Sequence, residues 1–434
     1  MTSSAPVLPT PAQLLATYGD AHPPLTPDQA VVEADRCYFC HDAPCVEACP
    51  TDIDIPGFIR GIATRNLKGA ATTILEQNIF GGSCARVCPT EILCERACVR
   101  TAQEHRPVDI GALQRHATDW IMARDIQPFT RAPETGKRIA VVGAGPAGLS
   151  CAHALARRGH YVRIFDAKPK PGGLNEYGIA AYKMADDFAQ REVAFIMSLG
   201  GMTIRHGAVL GRDISVEGLR AEFDAVFIAI GLSATHALGI PGEDLPGVRD
   251  AVDFIAELRQ SPQGMPVGGR VVVIGGGNTA IDAATQASRL GADQVTIVYR
   301  RGPEQMSATP VEQDWAKTNG VTIRHWSTPV RIIEENGRAA ALEVARPNGA
   351  EILPADLILK AIGQRFDPSP LDGAGFAMTG GRIAVDSAGA TSLPGVFAGG
   401  DCIPGPDLTV HCVQDGKRSA AAIHALLMGD AKNG

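Results

Sequence analysis

Short apolar runs that end on a glycine or an acid recur from residue 139 onward, and stretches with helical spacing separate them. That alternation predicts buried parallel strands joined through helices. The first run is Ile139 to Val142. Helical spacing follows from Pro146 through Arg158, and a second strand spans Tyr161 to Phe165. Residues 185 to 199 are helix-like, and Phe223 to Gly231 reads as a buried strand entering a glycine turn. The same succession restarts at Arg270, with a strand from Val271 to Ile274, a helical stretch through Leu290 and a returning strand from Val295 to Tyr299. Asn348-Gly349 marks a hairpin, and Ala355 to Gly363 repeats the pattern of residues 223 to 231. Gly395 to Asp401 supplies one more strand, after which Thr409, Gln414, Asp415 and Gly416 open a last helix. The chain therefore reads as α/β with two related dinucleotide folds, the second inserted in the first. Upstream the periodicity is helical. Ile55 to Glu76 places Ile55, Phe58, Ile59 and Ile62 on one face, and Ile110 to Met122 would bury Leu113, Ala117 and Trp120.

The glycines give these elements a chemistry. Gly143, Gly145 and Gly148 sit at G-x-G-x-x-G spacing around Pro146 and Ala147. Gly143 permits the tight turn, Gly145 lets a pyrophosphate approach the backbone, and Gly148 lets the helix pack closely on the strand. Free N–H groups at the helix start would face the phosphates. Asp166 ends the second strand, where an acid can bond a ribose 2′-hydroxyl. In the second fold Gly275-Gly276-Gly277-Asn278-Thr279-Ala280 fits G-x-G-x-x-A, making Gly275, Gly277, Asn278 and Thr279 candidate contacts. Its returning strand ends on Arg300-Arg301. Arginines there suit a 2′-phosphate; two solvated arginines on a loop are the alternative. The turns after the repeated strands add Gly231, Ala361 and Gly363. Flavoproteins of this architecture commonly place a glycine pair such as Gly172-Gly173, followed here by Leu174, near the flavin. Gly400-Asp401, with Thr409 at the start of the last helix, is a stretch that typically bonds the ribityl or pyrophosphate part of FAD.

Composition narrows the picture. The 434 residues, 45% apolar, suffice for two to four domains. A net charge of −7 without a basic stretch argues against a nucleic-acid partner. No apolar run reaches membrane-spanning length, and residues 1 to 11 are polar and proline-rich without a signal-peptide core. The expectation is a cytoplasmic protein with no membrane partner. In that reducing compartment the eleven cysteines are poor disulfide candidates and better metal ligands. Cys37, Cys40, Cys45 and Cys49-Pro50 form C-x2-C-x4-C-x3-C-P, and Cys84, Cys88-Pro89, Cys94 and Cys98 form C-x3-C-P-x5-C-x3-C. Zinc would favour paired C-x2-C knuckles, and only Cys37 and Cys40 have that spacing. Two iron–sulfur clusters fit better. In two-cluster proteins the cysteine before proline often ligates the other cluster, so Cys49 and Cys88 are both expected to cross. Cys151, Cys402 and Cys412 read as buried inert thiols. The nucleotide folds contain no C-x-x-C, which excludes a dithiol mechanism.

With these pieces placed, nearly the whole chain resembles the N-terminal, electron-input half of dihydropyrimidine dehydrogenase, and the separate bacterial subunit of that enzyme family. The resemblance is carried by Cys37-Tyr38-Phe39-Cys40-His41-Asp42-Ala43-Pro44-Cys45, by Cys49-Pro50-Thr51, and by Val87-Cys88-Pro89-Thr90 with Cys94 and Cys98. It implies FAD, two [4Fe–4S] clusters and NAD(P)H. One cluster would lie on Cys37, Cys40, Cys45 and Cys98, and the other on Cys49, Cys88, Cys94 and Gln114, which leaves Cys84 without a metal. The resemblance also implies that Lys183, the catalytic candidate, lies near the flavin, where the animal enzymes have arginine. Ser307 stands where those enzymes have an arginine toward the NADPH phosphate, so NADH or NADPH stays open. The implied activity is oxidation of NAD(P)H and delivery of electrons to an FMN- and iron–sulfur-containing partner subunit that reduces uracil or thymine, hence a hetero-oligomer. Nothing in this chain matches the family's FMN barrel.

The glutamate synthase small subunit shares the layout, and it or a related NAD(P)H-dependent flavin and iron–sulfur electron-transfer subunit is the alternative electron-input reading. A redox sensor without catalysis is a more distant one, against which both nucleotide motifs are intact. The expected domains are an extended arm at 1–30, a small α-helical double iron–sulfur domain at 31–127, and two Rossmann-like domains. Of these, FAD would take 137–243 and 361–434, and NAD(P) the inserted 244–360.

Overall fold

The computed structural model describes residues 19–261, 265 and 267–429. Most of the expected N-terminal arm lies outside these residues, and the chain is already helical from Pro27. The helices ahead of the first strand are α1 (Pro27–Ala34), α2 (Pro44–Glu47), α3 (Ile55–Ala63), α4 (Leu67–Gln77), α5 (Gly81–Val87), α6 (Val99–Glu104) and α7 (Ile110–Met122). Several of their starts are set by side chains that satisfy the first free N–H groups, each contributing about 1 kcal/mol. Thr26 builds a capping box with Gln29. Asp54 accepts from Gly57 N at 2.9 Å, and Asp109 accepts from Ala112 N at 3.0 Å. The helical spacing of residues 55 to 76 is not one helix. It breaks at Arg65, which takes a left-handed φ of 60°, and Asn66 then caps α4 through Gly69 N at 3.0 Å. A polar Arg-Asn pair inside a periodic run was the local signal for that break. Helix α7 buries Leu113 and Ala117 as expected, while Trp120 is only half-buried.

The strands and helices that follow are β1 (Arg138–Val142), α8 (Pro146–Arg157), β2 (Tyr161–Asp166), α9 (Phe188–Met197), β3 (Met202–His206), α10 (Val216–Glu222) and β4 (Ala225–Ile228). Then come β5 (Val248–Asp250), α11 (Ala251–Gln260), β6 (Arg270–Ile274), α12 (Asn278–Arg289), β7 (Gln294–Val298), α13 (Pro310–Thr318) and β8 (Val321–Arg324). A meander of β9 (Thr328–Glu335), β10 (Arg338–Arg346) and β11 (Gly349–Pro354) leads to β12 (Leu357–Lys360). The chain closes with β13 (Val396–Ala398) and α14 (Thr409–Met428). Among the described residues no helix is long and apolar enough to cross a membrane.

These elements fall into two units. The first holds residues 22–175, 186–233 and 366–429. Its sheet runs β13-β4-β1-β2-β3, all neighbours parallel, with Val141 opposite both Ile164 and Phe227. Alternation along β1 splits its side chains between two cores. Ile139 and Val141 join the helices, and Ala140 and Val142 face the opposite side with Val226 and Ile228. The thiol-bearing helices share the first of these cores. Phe58, Ile74, Phe80 and Leu113 lie in one contiguous cluster with Leu149, Leu155 and Ile164.

The second unit holds residues 19–21, 176–185 and 234–365. Its sheet runs β5-β12-β6-β7-β8, again all parallel, and β9–β11 form a separate antiparallel sheet. The two nucleotide folds repeat in detail. Asp224 accepts from Arg138 N at the start of β1, and Asp356 accepts from Arg270 N at the start of β6, both at 2.8 Å. The insertion is wider than the expected 244–360, and residues 176–185, expected with the first fold, pack with the second.

Candidate functional site

Eight thiols stand around two cavities. Cys37, Cys40, Cys45 and Cys98 line one, walled by Pro44, Ile55, Pro56 and Ile110. Cys49, Cys84, Cys88, Cys94 and Gln114 line the other, walled by Ile53, Ile55, Ile110 and Val410. Each set draws on both cysteine groups. Cys49 crosses from the first group, as the Cys-Pro pattern predicts. Cys88 does not cross; Cys98 does. The reason is local: Cys88 caps the end of α5, where its N–H bonds Cys84 O at 2.9 Å, whereas Cys98 lies beyond the Thr90–Ile92 turn, at the start of α6.

Cys37, Cys45, Cys88 and Cys94 resist ionisation as they stand. Burial pushes Cys45 up to about 12, and the facing Cys98 and Cys37 push the same way. Cys88 is raised first by its bond with Cys84 and then by burial; Cys94 is raised chiefly by burial. Crowded thiols of this kind lose their protons when a cationic metal core sits among them. Among the described residues no three His, Cys, Asp or Glu side chains converge closely enough to hold a single ion. Four donors spaced around a cavity suit a multi-atom cluster. Gln114 is 7% exposed, and its Nε2 donates to Gly81 O at 2.7 Å. That leaves Oε1 as the amide atom available to the cavity. Cys84, 2% exposed, lines the same cavity, so five donors face four positions.

In the first unit β1 and α8 meet at the glycine turn. Gly143 has φ of 105°, and a Cβ there would overlap the Ala229 carbonyl oxygen. Gly275 repeats the arrangement against Ala361 O in the second unit, with φ of 147°. Both turns therefore need glycine. Gly145 lies against Gly173, whose added Cβ would come within 2.8 Å of the Gly145 Cα, so the two form a bare backbone wall beside Pro146 and Ala147. Gly148 abuts the Gly143 carbonyl. Asp166 accepts from Ala144 N at 2.6 Å and Lys168 N at 2.7 Å, one bond to each oxygen, which leaves each oxygen a lone pair for a hydroxyl.

Near the start of α14, Thr409 donates to Asn175 Oδ1 at 3.0 Å, beside Leu174. The Asn175 amide nitrogen and the Gln414 amide oxygen are buried without partners. Orphaned polar atoms among glycines are what a bound dinucleotide would complete. Burial holds the Asp401 carboxyl above its ordinary value, and it accepts from Cys412 Sγ at 3.1 Å. Gly400 N donates to Asp415 Oδ2 at 3.0 Å, and Gly231, with φ of 64°, has open space where a side chain would be. Cys151, Cys402 and Cys412 are buried, and burial pushes the Cys402 thiol up to about 12.

In the second unit Asn278 and Thr279 are exposed in the first turn of α12, and Gly277 faces Ser307 Oγ. Gly363 takes φ of 102° beyond β12. Arg300 and Arg301 are exposed beyond β7, and neither makes an ion pair among the described residues. Lys183 is 8% exposed and committed to two carboxylates, Asp282 Oδ1 at 2.8 Å and Glu312 Oε1 at 2.7 Å. Burial alone would lower its pKa, but the two acids more than offset this, and the ammonium is held above its usual value. The chain motifs had not pointed to either acid. The signal for Asp282 was an acid inside the apolar run Ala280-Ile281-Asp282-Ala283-Ala284; Glu312 carried none.

Two thiol-lined cavities joined to a glycine-turn fold, with a second such fold inserted, define a class: nucleotide-dependent redox proteins with iron–sulfur centres. The profile for pyridine nucleotide-disulphide oxidoreductases matches residues 137–416, and that for dihydropyrimidine dehydrogenase domain II, 4Fe-4S cluster, matches residues 15–126. The chain belongs to the pyridine nucleotide-disulphide oxidoreductase family, in the group that carries this 4Fe–4S domain ahead of the nucleotide folds. It is 36% identical over 405 residues to the NAD-dependent dihydropyrimidine dehydrogenase subunit PreT of Salmonella typhimurium, covering 93% of this chain and 96% of the relative. It is 32% identical to the glutamate synthase [NADPH] small chain of Halomonas elongata, covering 94% and 92%. In fold it is similar to Mycobacterium tuberculosis FprA in complex with NADPH, with a TM-score of 0.58 and 22% identity over 69% of this chain and 86% of that one. The protein is an NAD(P)-dependent oxidoreductase whose cofactors are FAD, 4Fe–4S clusters and NAD(P)H.

Proposed function

We propose that this protein is the electron-input subunit of a bacterial-type dihydropyrimidine dehydrogenase. It oxidises NAD(P)H and delivers the two electrons to an FMN- and iron–sulfur-containing partner, which reduces uracil or thymine to the 5,6-dihydropyrimidine. The observation that carries this reading is a pair of shared walls. Ile55 and Ile110 line both thiol cavities, and Val410, the neighbour of Thr409, lines the one with Cys49, Cys88, Cys94 and Gln114. FAD accepts a hydride and releases electrons singly, and four-iron clusters relay single electrons.

The chain's own residues then have separate tasks. Gly143, Gly145, Gly148, Asp166, Gly173, Asp401 and Thr409 hold the flavin nucleotide. Gly275, Gly277, Asn278 and Thr279 hold the nicotinamide nucleotide, with Arg300 and Arg301 at its ribose. Gln114 completes the second thiol set, and Lys183 is oriented by Asp282 and Glu312. The similarity to the PreT subunits favours the pyrimidine reading, and the similarity to the glutamate synthase small chain supports a second one.

The test mixes the holoprotein with the candidate FMN subunit and follows NAD(P)H by its dihydronicotinamide absorbance. Consumption that requires uracil or thymine supports the proposal. Consumption that requires 2-oxoglutarate with glutamine and ignores pyrimidines replaces it with the second reading.

A further inference from the structure

A cavity of about 360 Å³ in the first unit shares no residue with the flavin and thiol sites. Helices α4, α8 and α14 surround it, and its lining is strongly cationic. Arg157, Arg158 and Lys417 face one acid, Glu76, for a net charge of +2. The three cations are not equally engaged. Lys417 Nζ is used up by Thr51 O, Gln77 O and Gln77 Oε1 at 3.0, 3.2 and 3.0 Å, so it acts as a fixed charge in the wall. Arg158 spends one bond on Ala154 O at 2.9 Å. Arg157 lies over the Phe129 ring, 3.9 Å from its centroid, and its guanidinium makes no hydrogen bond or ion pair among the described residues. Both arginines therefore keep forked donors free, in a setting where burial already disfavours their charge.

A second observation is independent of these charges. His153 also lines the cavity, is 3% exposed, and its Nε2 is buried with no hydrogen-bond partner. Burial, with Arg157 adding, pushes its pKa down to about 3, so the ring is neutral and can offer a hydrogen-bond donor at no charge cost. An unpaired buried ring nitrogen beside guanidinium donors that are still free describes a polar pocket whose counterpart is missing. An arginine fork bonds two oxygens of a carboxylate or a phosphate, and two forks on one group need the three or more oxygens that a phosphate offers and a carboxylate lacks. The volume exceeds what a lone tetrahedral anion needs and falls at the lower end of small-ligand pockets.

We propose that this cavity binds a phosphate-bearing small molecule, with Arg157 and Arg158 as its direct ligands, His153 as a neutral donor and Lys417 as the fixed charge behind them. Inorganic phosphate and a nucleoside monophosphate share this chemistry, and the experiment separates them. The holoprotein, loaded with FAD and iron and saturated with NADP+ to close the nicotinamide site, is dialysed to equilibrium against labelled phosphate and, in parallel, labelled AMP. One saturable site per chain is expected, weakened about tenfold or more by Arg157→Gln and by Arg158→Gln. Flavin absorbance, iron content and NAD(P)H oxidation by an artificial acceptor should stay unchanged in both variants. Tighter binding of AMP assigns the site to organic phosphates, and equal or tighter binding of phosphate assigns it to the free anion. Absence of saturable binding of either probe into the millimolar range overturns the proposal, and so does binding that both variants leave intact.

Discussion

Lys183→Met removes a cation that two acids share in the interior of the second unit. The ammonium lies 2.8 Å from Asp282 and 2.7 Å from Glu312. Asp282 is also bonded by Tyr182 Oη at 2.9 Å and by Ala180 N at 3.4 Å, so it is fixed and cannot swing to water. Removing one partner of a buried ionic group leaves charge without compensation and costs ~3–5 kcal/mol. For a unit of this size that lowers the melting temperature by roughly 6–20 °C, at about 2–4 °C per kcal/mol. Trp315 reports the transition, since its ring packs on Tyr182 with centroids 5.9 Å apart.

The pH dependence has a definite sign. Without the lysine the two carboxylates face each other, and their folded-state pKa values rise above the unfolded ones. Stability from such groups is present at low pH and lost as pH rises through the folded values. The deficit of Lys183→Met should therefore be smaller at pH 5 than at pH 8. Neutralising all three positions, as Lys183→Met with Asp282→Asn and Glu312→Gln, should return most of the loss. A melting temperature within about 2 °C of the parent for the single variant, or a deficit equal at both pH values, would show that the three groups are not an electrostatic unit.

Three further outcomes are expected. Anaerobically purified protein should carry about eight irons and eight acid-labile sulfides per chain, if each cavity holds a four-iron cluster; stoichiometric zinc with negligible iron would remove the electron-transfer reading. Gln114→Cys should keep the iron but shift one cluster's EPR signal and potential, because a thiolate adds negative charge to the ligand set, and Gln114→Ala should make that cluster labile. Unaltered spectra in both variants would hand the fourth position to Cys84. Arg300→Ala should lower the NADPH-to-NADH preference in stopped-flow flavin reduction, and an unchanged ratio would make Arg300 a solvated loop residue.

The nucleotide folds were legible in the sequence because each needs glycine where a side chain would strike a carbonyl, as Gly143 and Gly275 do. Buried parallel strands then announce themselves as short apolar runs between those turns. The two sets of thiols were less legible. Spacing marked the cysteines as cluster ligands, but which loop reaches which cavity depends on tertiary path, and the Cys-Pro pattern misplaced Cys88 and missed the crossing of Cys98. The bounds of the two compact units were hidden for a similar reason. Residues 176–185 follow the flavin motif in sequence yet pack with the inserted unit, held by groups such as Tyr182 and Lys183 that no periodicity reveals. Asp282 and Glu312 were invisible because a buried acid is meaningful only beside its partner.

The thiol block was expected to be a domain of its own, but it shares one core with the flavin fold, and Glu192 sits in the seam between them. From α9 its carboxylate accepts from Ser83 N on α5 at 2.9 Å and from Ser83 Oγ, beside the Arg86 guanidinium that stacks on Phe188. Burial pushes the Glu192 carboxyl up to about 7, well above the ordinary carboxylate range. A folded pKa above the unfolded one supplies stability that is complete below the unfolded value and lost as pH rises through the folded value. Between pH 5.5 and 8 the parent should lose roughly 2 kcal/mol from this group, at about 1.4 kcal/mol per unit of difference. Glu192→Gln cannot ionise yet still accepts from Ser83, so it should flatten that part of the pH profile and be more stable than the parent at pH 8. Glu192→Leu strips Ser83 of its acceptor and should be less stable at every pH. Thermal unfolding of the cofactor-loaded protein across this range decides the matter. A Glu192→Gln profile parallel to the parent's would mean that the carboxylate is already ionised in the fold, with Arg86 as its counter-charge.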